Sequence, residues 1–233
     1  MKPEPGATER VSVVVPAWNA DRYLGEALQS VMDQSRPVDE IVVVDDGSTD
    51  ATADVCRGFA SVRYERQANN GAGVARNRGV ELTSGEYVAF LDADDLWSSR
   101  KVELQVAALR DPSVDAVFAV ASNFISPDRV EELSSLRVQE RPVPAYLPSA
   151  MMVRRSILDR QGPFSTGGSL TDWVEWYLRL VESGARTWVC PEILVHRRVH
   201  GANATMRDPD GMKAYVRMVK ASIDRRRHNG GAS

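Results

Sequence analysis

The sequence predicts an α/β fold, a mostly parallel sheet carrying helices on both faces, and three observations predict it. Val11-Ser12-Val13-Val14-Val15 and Ile41-Val42-Val43-Val44 are β-branched runs of strand length, apolar enough to be buried on both faces. Between them Leu24, Ala27, Leu28, Val31 and Met32 recur at helical spacing. The alternation of strand and helix then continues as far as Leu91, which is the pattern of successive right-handed crossovers.

Each element has its own signals. Pro16 stops the first strand and Asp45-Asp46-Gly47 stops the second, while Pro37 follows the intervening helix. Ser48 or Thr49 is placed to cap the next helix. A short strand at Val62-Arg63-Tyr64, a helix from about Gly73 to Leu82 and a strand from Tyr87 to Leu91 complete the regular part. Beyond it, Ser98 or Ser99 starts a helix through Leu109, and Ala116 to Val120 reads as a strand. Ser126 to Pro148 is rich in charge and proline with weak periodicity, and we expect a mobile loop beside an acceptor. Trp173, Trp176, Tyr177, Leu180 and Val181 define a helix from Asp172 to Glu182 that Gly184 stops. Strands follow near Thr187–Cys190 and Ile193–His196, then an amphipathic C-terminal helix.

Composition narrows the function classes. With 43% hydrophobic residues, 233 residues suit one large domain, which we divide into a nucleotide-binding half, 1–110, and a half carrying the acceptor site and the base, 111–233. The balance of 29 basic and 32 acidic side chains offers no positive field for a phosphate backbone, so nucleic acid is not expected as a partner. No run approaches a membrane span, and the expected location is cytoplasmic. Cys56 and Cys190 are too few for a disulfide framework or a cysteine zinc site and read as two buried thiols.

In an open parallel sheet, ligands bind beyond the carboxyl ends of the strands. The residues there are Pro16-Ala17-Trp18-Asn19, Asp45-Asp46-Gly47-Ser48 and Asp92-Ala93-Asp94-Asp95. Any one of these acids alone reads as a turn former or helix cap, but together they point to a site. A diphosphate beside so many carboxylates requires a cation, and hard oxygen ligands favour Mn²⁺ or Mg²⁺. Gly71-Ala72-Gly73-Val74-Ala75-Arg76 is not a dinucleotide fingerprint, because it follows the third strand and ends in arginine. It does let the backbone approach a ligand, with Arg76 able to reach a phosphate or nucleobase edge. No P-loop is present.

The order VVVPAWNA (Val13 to Ala20), VVVDDGSTD (Val42 to Asp50), NNGAGVARNRG (Asn69 to Gly79) and GEYVAFLDADDLW (Gly85 to Trp97) resembles the family 2 glycosyltransferases, with their Rossmann-like GT-A fold. Later in the chain Thr171-Asp172 and His196-Arg197-Arg198-Val199-His200 with Asn203 are similar in fewer places. The resemblance implies that Asp45 binds the nucleobase in a pocket shaped by Pro16, Ala17 and Asn19, and that Arg76 and Asn77 line the nucleotide side. It implies that Asp92, with Ala93, contacts ribose or a metal-bound water, that Asp94 ligates the metal, and that His200 supplies a C-terminal ligand to metal or diphosphate.

The expected function is soluble, non-processive, metal-dependent sugar transfer with inversion from a nucleotide sugar, UDP-linked in our reading. The acceptor is left open among saccharide, lipid carrier, small molecule and peptide. Asp172 is the candidate base and Glu175, one turn on, the fallback. Trp173 is a candidate sugar platform, whereas Trp176 reads as core. The Gln-x-x-Arg-Trp motif of processive, membrane-embedded members is replaced here by Arg197-Arg198-Val199-His200. The alternatives are a nucleotidyltransferase, whose glycine-rich signature near the first strand is missing, and a non-catalytic nucleotide-sugar-binding module. The C-terminal helix places Met212, Tyr215 or Val216, Val219 and Ile223 on one face, with Lys213, Arg217, Lys220 and Arg225-Arg226-Arg227 elsewhere. It is expected to cover the core, to form a homodimer contact or to lie on an anionic membrane surface.

Overall fold

The computed structural model describes residues 9–136, 138–139, 141–167, 171–201, 203, 213–214, 216–218 and 220–222. The sheet is built from β1 (Val11–Ala17), β2 (Glu40–Asp45), β3 (Val62–Arg66), β4 (Tyr87–Phe90), β5 (Leu96–Trp97), β6 (Ala116–Ile125), β7 (Val143–Ala145), β8 (Met152–Arg154) and β9 (Thr187–Val199). The helices are α1 (Leu24–Met32), α2 (Thr52–Arg57), α3 (Ala72–Glu81), α4 (Lys101–Leu109), α5 (Arg155–Gln161) and α6 (Thr171–Glu182). Strand order is β3-β2-β1-β4-β8-β6-β9-β5, with β7 on the side of β6. The long ladders β1–β2, β2–β3, β1–β4 and β6–β9 are parallel; those to β8, β7 and β5 are antiparallel and two or three pairs long. A mixed α/β fold with a mostly parallel sheet is therefore what the chain adopts.

The period-two alternation of the strands sorts their side chains onto two helical layers. Val11, Val13 and Val15 of β1 and Ile41 and Val43 of β2 pack with Leu24, Ala27, Leu28 and Val31 of α1 and Val102, Val106 and Leu109 of α4. Val14 points the other way, into a core with Phe90, Phe118, Ile157 and Trp176, and Val42 and Val44 meet Ala75 of α3. Helix α3 lies so close to β1 that a Cβ on Gly79 would come within 2.2 Å of Val14 Cγ1. Because β1 is flanked by β2 on one side and β4 on the other, the crevice at its carboxyl end is a switch point of the sheet.

Several boundaries differ from expectation, each for a physical reason. β1 runs through Pro16: Val14 faces β4, so Pro16 does too, and β4 pairing ends at Val14, where no ladder bond needs the missing N–H. Neither Ser48 nor Thr49 caps α2; Asp50 accepts from the Thr52 backbone N–H at 3.0 Å, while Ser48 Oγ accepts from Asn19 N at 2.8 Å. α4 starts at Lys101 because Leu96–Trp97 is drawn into pairing with Val195–His196. The two late strands are one, β9, bulged where its pairing with β6 skips across Pro191-Glu192. Within 126–148 lie a 3₁₀ turn, Pro127–Arg129, and β7. Met212, Tyr215, Val219, Ile223 and Arg225-Arg226-Arg227, on which the expected faces of the C-terminal helix rest, lie outside the described residues. Both cysteines are free and buried, and among the described residues no helix is long and apolar enough to cross a membrane.

Lys101 is fully buried, its Nζ donating to Gln105 Oε1 at 2.7 Å and standing 3.9 Å from the centre of the Trp97 ring. Burial holds its pKa well below the ordinary 10.5. Between that lowered value and the ordinary one the unfolded chain binds a proton that the folded chain does not. Stability should therefore rise with pH across this window, by up to about 1.4 kcal/mol per unit. Urea midpoints at about pH 7 and about pH 9 should diverge between wild type and Lys101→Met, with the wild type gaining at the higher pH; parallel pH dependence would show that the ammonium keeps its charge inside.

Candidate functional site

At the carboxyl ends of β1 and β2, Ala17 and Asp45 stand opposite each other in register. Asp45 is 1% exposed and its carboxylate is held from both sides: Oδ1 accepts from Ser48 N at 2.8 Å, and Oδ2 from the Tyr64 hydroxyl at 2.5 Å. Burial and the donation to Asp45 push the Tyr64 phenol up to about 12. Asp46, which sequence reasoning did not assign, accepts from Asn70 N at 2.9 Å, Gly71 N at 2.7 Å and Gln67 Nε2 at 2.8 Å, and so shapes the approach to α3. Pro16 and Ala17 are buried beneath the crevice. Asn19, at a φ of 47°, turns its side-chain carbonyl to the Thr49 N–H at 2.8 Å and ties the loop after β1 to the loop after β2.

The acidic segment after β4 is divided by burial. Asp92 and Asp94 keep 33% and 29% of their side chains exposed, whereas Asp95 is buried, so only the first two present a carboxylate to a ligand. Asp92 Oδ1 accepts from Arg76 Nη2 at 2.7 Å, and its backbone N–H donates to Ser149 Oγ at 3.1 Å. Ala93 is buried between them. Asp94 Oδ2 lies 2.9 Å from His200 Nε2 and accepts from Asn203 Nδ2 at 3.2 Å. Burial raises the Asp95 pKa well above its ordinary range, and the neighbouring charges of Asp94 and Asp92 add to the effect.

Arg198 fixes this segment from the far end of the chain; sequence reasoning placed it within His196-Arg197-Arg198-Val199-His200 but gave it no role. It is 3% exposed, its guanidinium standing 4.7 Å from the Tyr23 ring centre and 4.8 Å from that of Phe124. Its Nε donates to the Asp94 carbonyl at 3.1 Å, its backbone N–H to Asp95 Oδ1 at 3.2 Å, and Nη2 to Glu26 at 2.8 Å. Its signal was its place in that motif; the structure extends β9 over it and buries its charge, which is costly unless matched.

Helix α3 links the second acidic locus to the first. Asp172, in the first turn of α6, is 4% exposed and lies against α3, where a Cβ on Gly73 would come within 2.9 Å of its Oδ2 and 2.2 Å of the Ser165 carbonyl. Arg76, which holds Asp92, is one turn further along the same face of α3. Asn77, expected on the nucleotide side, instead has its amide engaged by Phe164: its carbonyl accepts from Phe164 N and its Nδ2 donates to Phe164 O, each at 2.8 Å. Arg76 is likewise a partner of Asp92 rather than a free anion ligand, although its Nε is buried without a partner among the described residues. Glu175 accepts from Ser165 Oγ at 2.5 Å. Trp173 and Trp176 are both buried and stacked with centroids 5.7 Å apart, so Trp173 joins the core rather than forming an exposed platform.

Among the described residues no group of three or more His, Cys, Asp and Glu converges as a closed metal site. The pair Asp94 and His200 nevertheless fits an open one. Two ligands on adjacent vertices of an octahedron with bonds of about 2.1 Å stand about 3 Å apart, and small hard cations commonly take one or two protein ligands and complete their shell with substrate phosphates. Asp94 Oδ2 and His200 Nε2 are hydrogen-bonded at 2.9 Å, so the two candidate ligating atoms already meet at one point.

The strand order, with its switch point at the carboxyl end of β1, is a mixed α/β fold of the GT-A kind. The family model described as glycosyl transferase family 2 matches residues 12–165, and the chain belongs to that family. TuaG of Bacillus subtilis, named for teichuronic acid biosynthesis, is 42% identical over 109 residues, 44% of this chain and 43% of its own, so the chain spans less than half of that relative. The crystal structure of S. aureus TarS 1–349 in complex with UDP-GlcNAc superposes with a TM-score of 0.69 at 21% identity, covering 92% of this chain and 66% of that one. The mannosyltransferase PcManGT of Pyrobaculum calidifontis, in complex with GDP-Man and Mn²⁺, gives 0.64 at 25% identity over 84% of this chain and 58% of its own.

The Asn77–Phe164 clamp yields a prediction about the loop between α5 and α6. Asn77→Ala should cost about 1–3 kcal/mol, because two backbone groups lose their partners. Urea unfolding would measure the loss, and limited proteolysis should show faster cleavage near 162–167. An unchanged midpoint and unchanged cleavage would mean the loop is held by other contacts.

Proposed function

We propose that the protein transfers a sugar from a nucleotide sugar, UDP-linked in our reading, to an acceptor hydroxyl, with inversion at the anomeric carbon and dependence on Mn²⁺ or Mg²⁺. The observation that carries the reading is the meeting of Asp94 with His200 across 106 residues of sequence at the switch point of the sheet. Membership of the family and the nucleotide-sugar complexes of the two structural neighbours support it.

Asp94 and His200 would hold the metal, which when bound supplies positive charge to the diphosphate. The buried Asp45 and the pocket of Pro16, Ala17 and Asn19 receive the nucleoside, and Asp92, kept in place by Arg76, faces the ribose. Asp172 takes the proton of the acceptor hydroxyl. The acceptor oxygen then bonds to the anomeric carbon as the bond to the diphosphate breaks, and that electron pair leaves with the nucleoside diphosphate. Asp172 is 4% exposed and packs against Gly73, so this role requires the acceptor to reach the carboxylate beside the start of α3.

Calorimetry with UDP and Mn²⁺ tests the donor half. The wild type should bind, and Asp94→Ala should weaken binding at least about tenfold; absence of UDP binding, or an affinity untouched by Asp94→Ala, would sink the reading. For the chemical half, a hydrolysis screen over nucleotide sugars needs no acceptor. Asp172→Asn should lower donor hydrolysis and transfer by about 10²–10⁴-fold while leaving UDP affinity unchanged. Equal turnover in the variant and the wild type would remove Asp172 as the base, and absence of any transfer across broad acceptor panels would favour the binding-module alternative.

A further inference from the structure

We infer that Tyr146 is a stacking platform for a pyranose ring of the acceptor, which makes the acceptor a glycoside; this rests on the sugar-transfer reading above. The tyrosine is 45% exposed, although it belongs to an aromatic group that is otherwise mostly buried. Its ring is backed by Phe118 at 5.2 Å and Tyr177 at 5.4 Å between centroids, so its position is held from behind. Among the described residues its hydroxyl has no hydrogen-bond partner.

The Tyr146 backbone is tied to the residue after Asp172, and Ser149 three residues on is tied to Asp92. The Tyr146 carbonyl accepts from Trp173 Nε1 at 2.9 Å, and Trp173 is the residue after Asp172. Three residues beyond Tyr146, Ser149 is fully buried; its hydroxyl accepts from Asp92 N at 3.1 Å and its carbonyl from Trp97 Nε1 at 2.9 Å. Tyr146 is therefore stationed on a short, anchored stretch between the candidate base and the donor carboxylates. An aromatic ring that is held by ring neighbours and still 45% exposed suits the flat C–H face of a sugar, and a tyrosine adds a hydroxyl. Trp173, whose exposure is 8%, cannot do this without unpacking.

The test compares two variants that keep the backing contacts apolar: Tyr146→Phe, which retains the ring, and Tyr146→Leu, which does not. Saturation-transfer NMR would be recorded with UDP and Mn²⁺ present and with methyl glycosides of glucose, galactose, mannose and N-acetylglucosamine as probes. The wild type and Tyr146→Phe should saturate the protons of one sugar face, and Tyr146→Leu should weaken that binding about three- to tenfold with UDP affinity unchanged. Normal UDP binding combined with equal glycoside signals in Tyr146→Leu and wild type, or with no glycoside signal at all, overturns the platform. Failure of the wild type to bind UDP overturns the donor reading instead, and the two failures are distinguished in one sample.

Discussion

The constraint on which this architecture depends is the gathering of carboxylates at one end of a buried sheet. Asp45, Asp46, Asp92, Asp94 and Asp95 leave the ends of two neighbouring ladders, and a carboxylate withdrawn from water must find donors or lose its charge. The surrounding chain is arranged to supply them. Ser48 and Tyr64 satisfy Asp45, three N–H groups satisfy Asp46, Arg76 meets Asp92, and Arg198 reaches in from β9 to the segment around Asp94 and Asp95. The exception is informative. Asp95 has its pKa raised by burial and by its two acidic neighbours, which leaves Asp92 and Asp94 as the solvent-facing pair.

Helix α3 carries the second requirement, that two loci far apart in sequence share one geometry. It can do so because it is thin. Gly79 lets it settle on Val14, and Gly73 lets Asp172 and the Ser165 carbonyl come against its first turn. The same helix then presents Arg76 to Asp92 and Asn77 to Phe164. A bulkier helix at this point would separate the strand ends from the loop before α6.

The first half of the fold is legible in the sequence because β1 and β2 are β-branched runs and α1 between them has a clean apolar stripe. The second half is less so. Pro191-Glu192 makes β9 look like two strands, since sequence alone does not show that β6 tolerates a bulge there. In the site, residue type announces carboxylate chemistry at the strand ends, but burial decides which carboxylates face a ligand, and burial is set by partners far away. Asn77 and Arg76 show the same limit: each has a side chain suited to a phosphate or a base, and each is taken up by a partner, Phe164 87 residues on and Asp92 16 residues on. Arg198 is legible only by its place in a motif, because its partners Glu26 and Asp94 are 172 and 104 residues distant.

The contact between Asp94 and His200 also sets an order of events during synthesis. The separation of 106 positions takes roughly 5 to 20 seconds to translate at about 5–20 residues per second. During that interval the β1–β4 ladder and its helices can already be paired, since all their partners have emerged. The acidic end of that early sheet is then a set of mutually repelling charges without the arginine and histidine that later face it. A chain of this design is born with its scaffold first and the contact of Asp94 with His200 last.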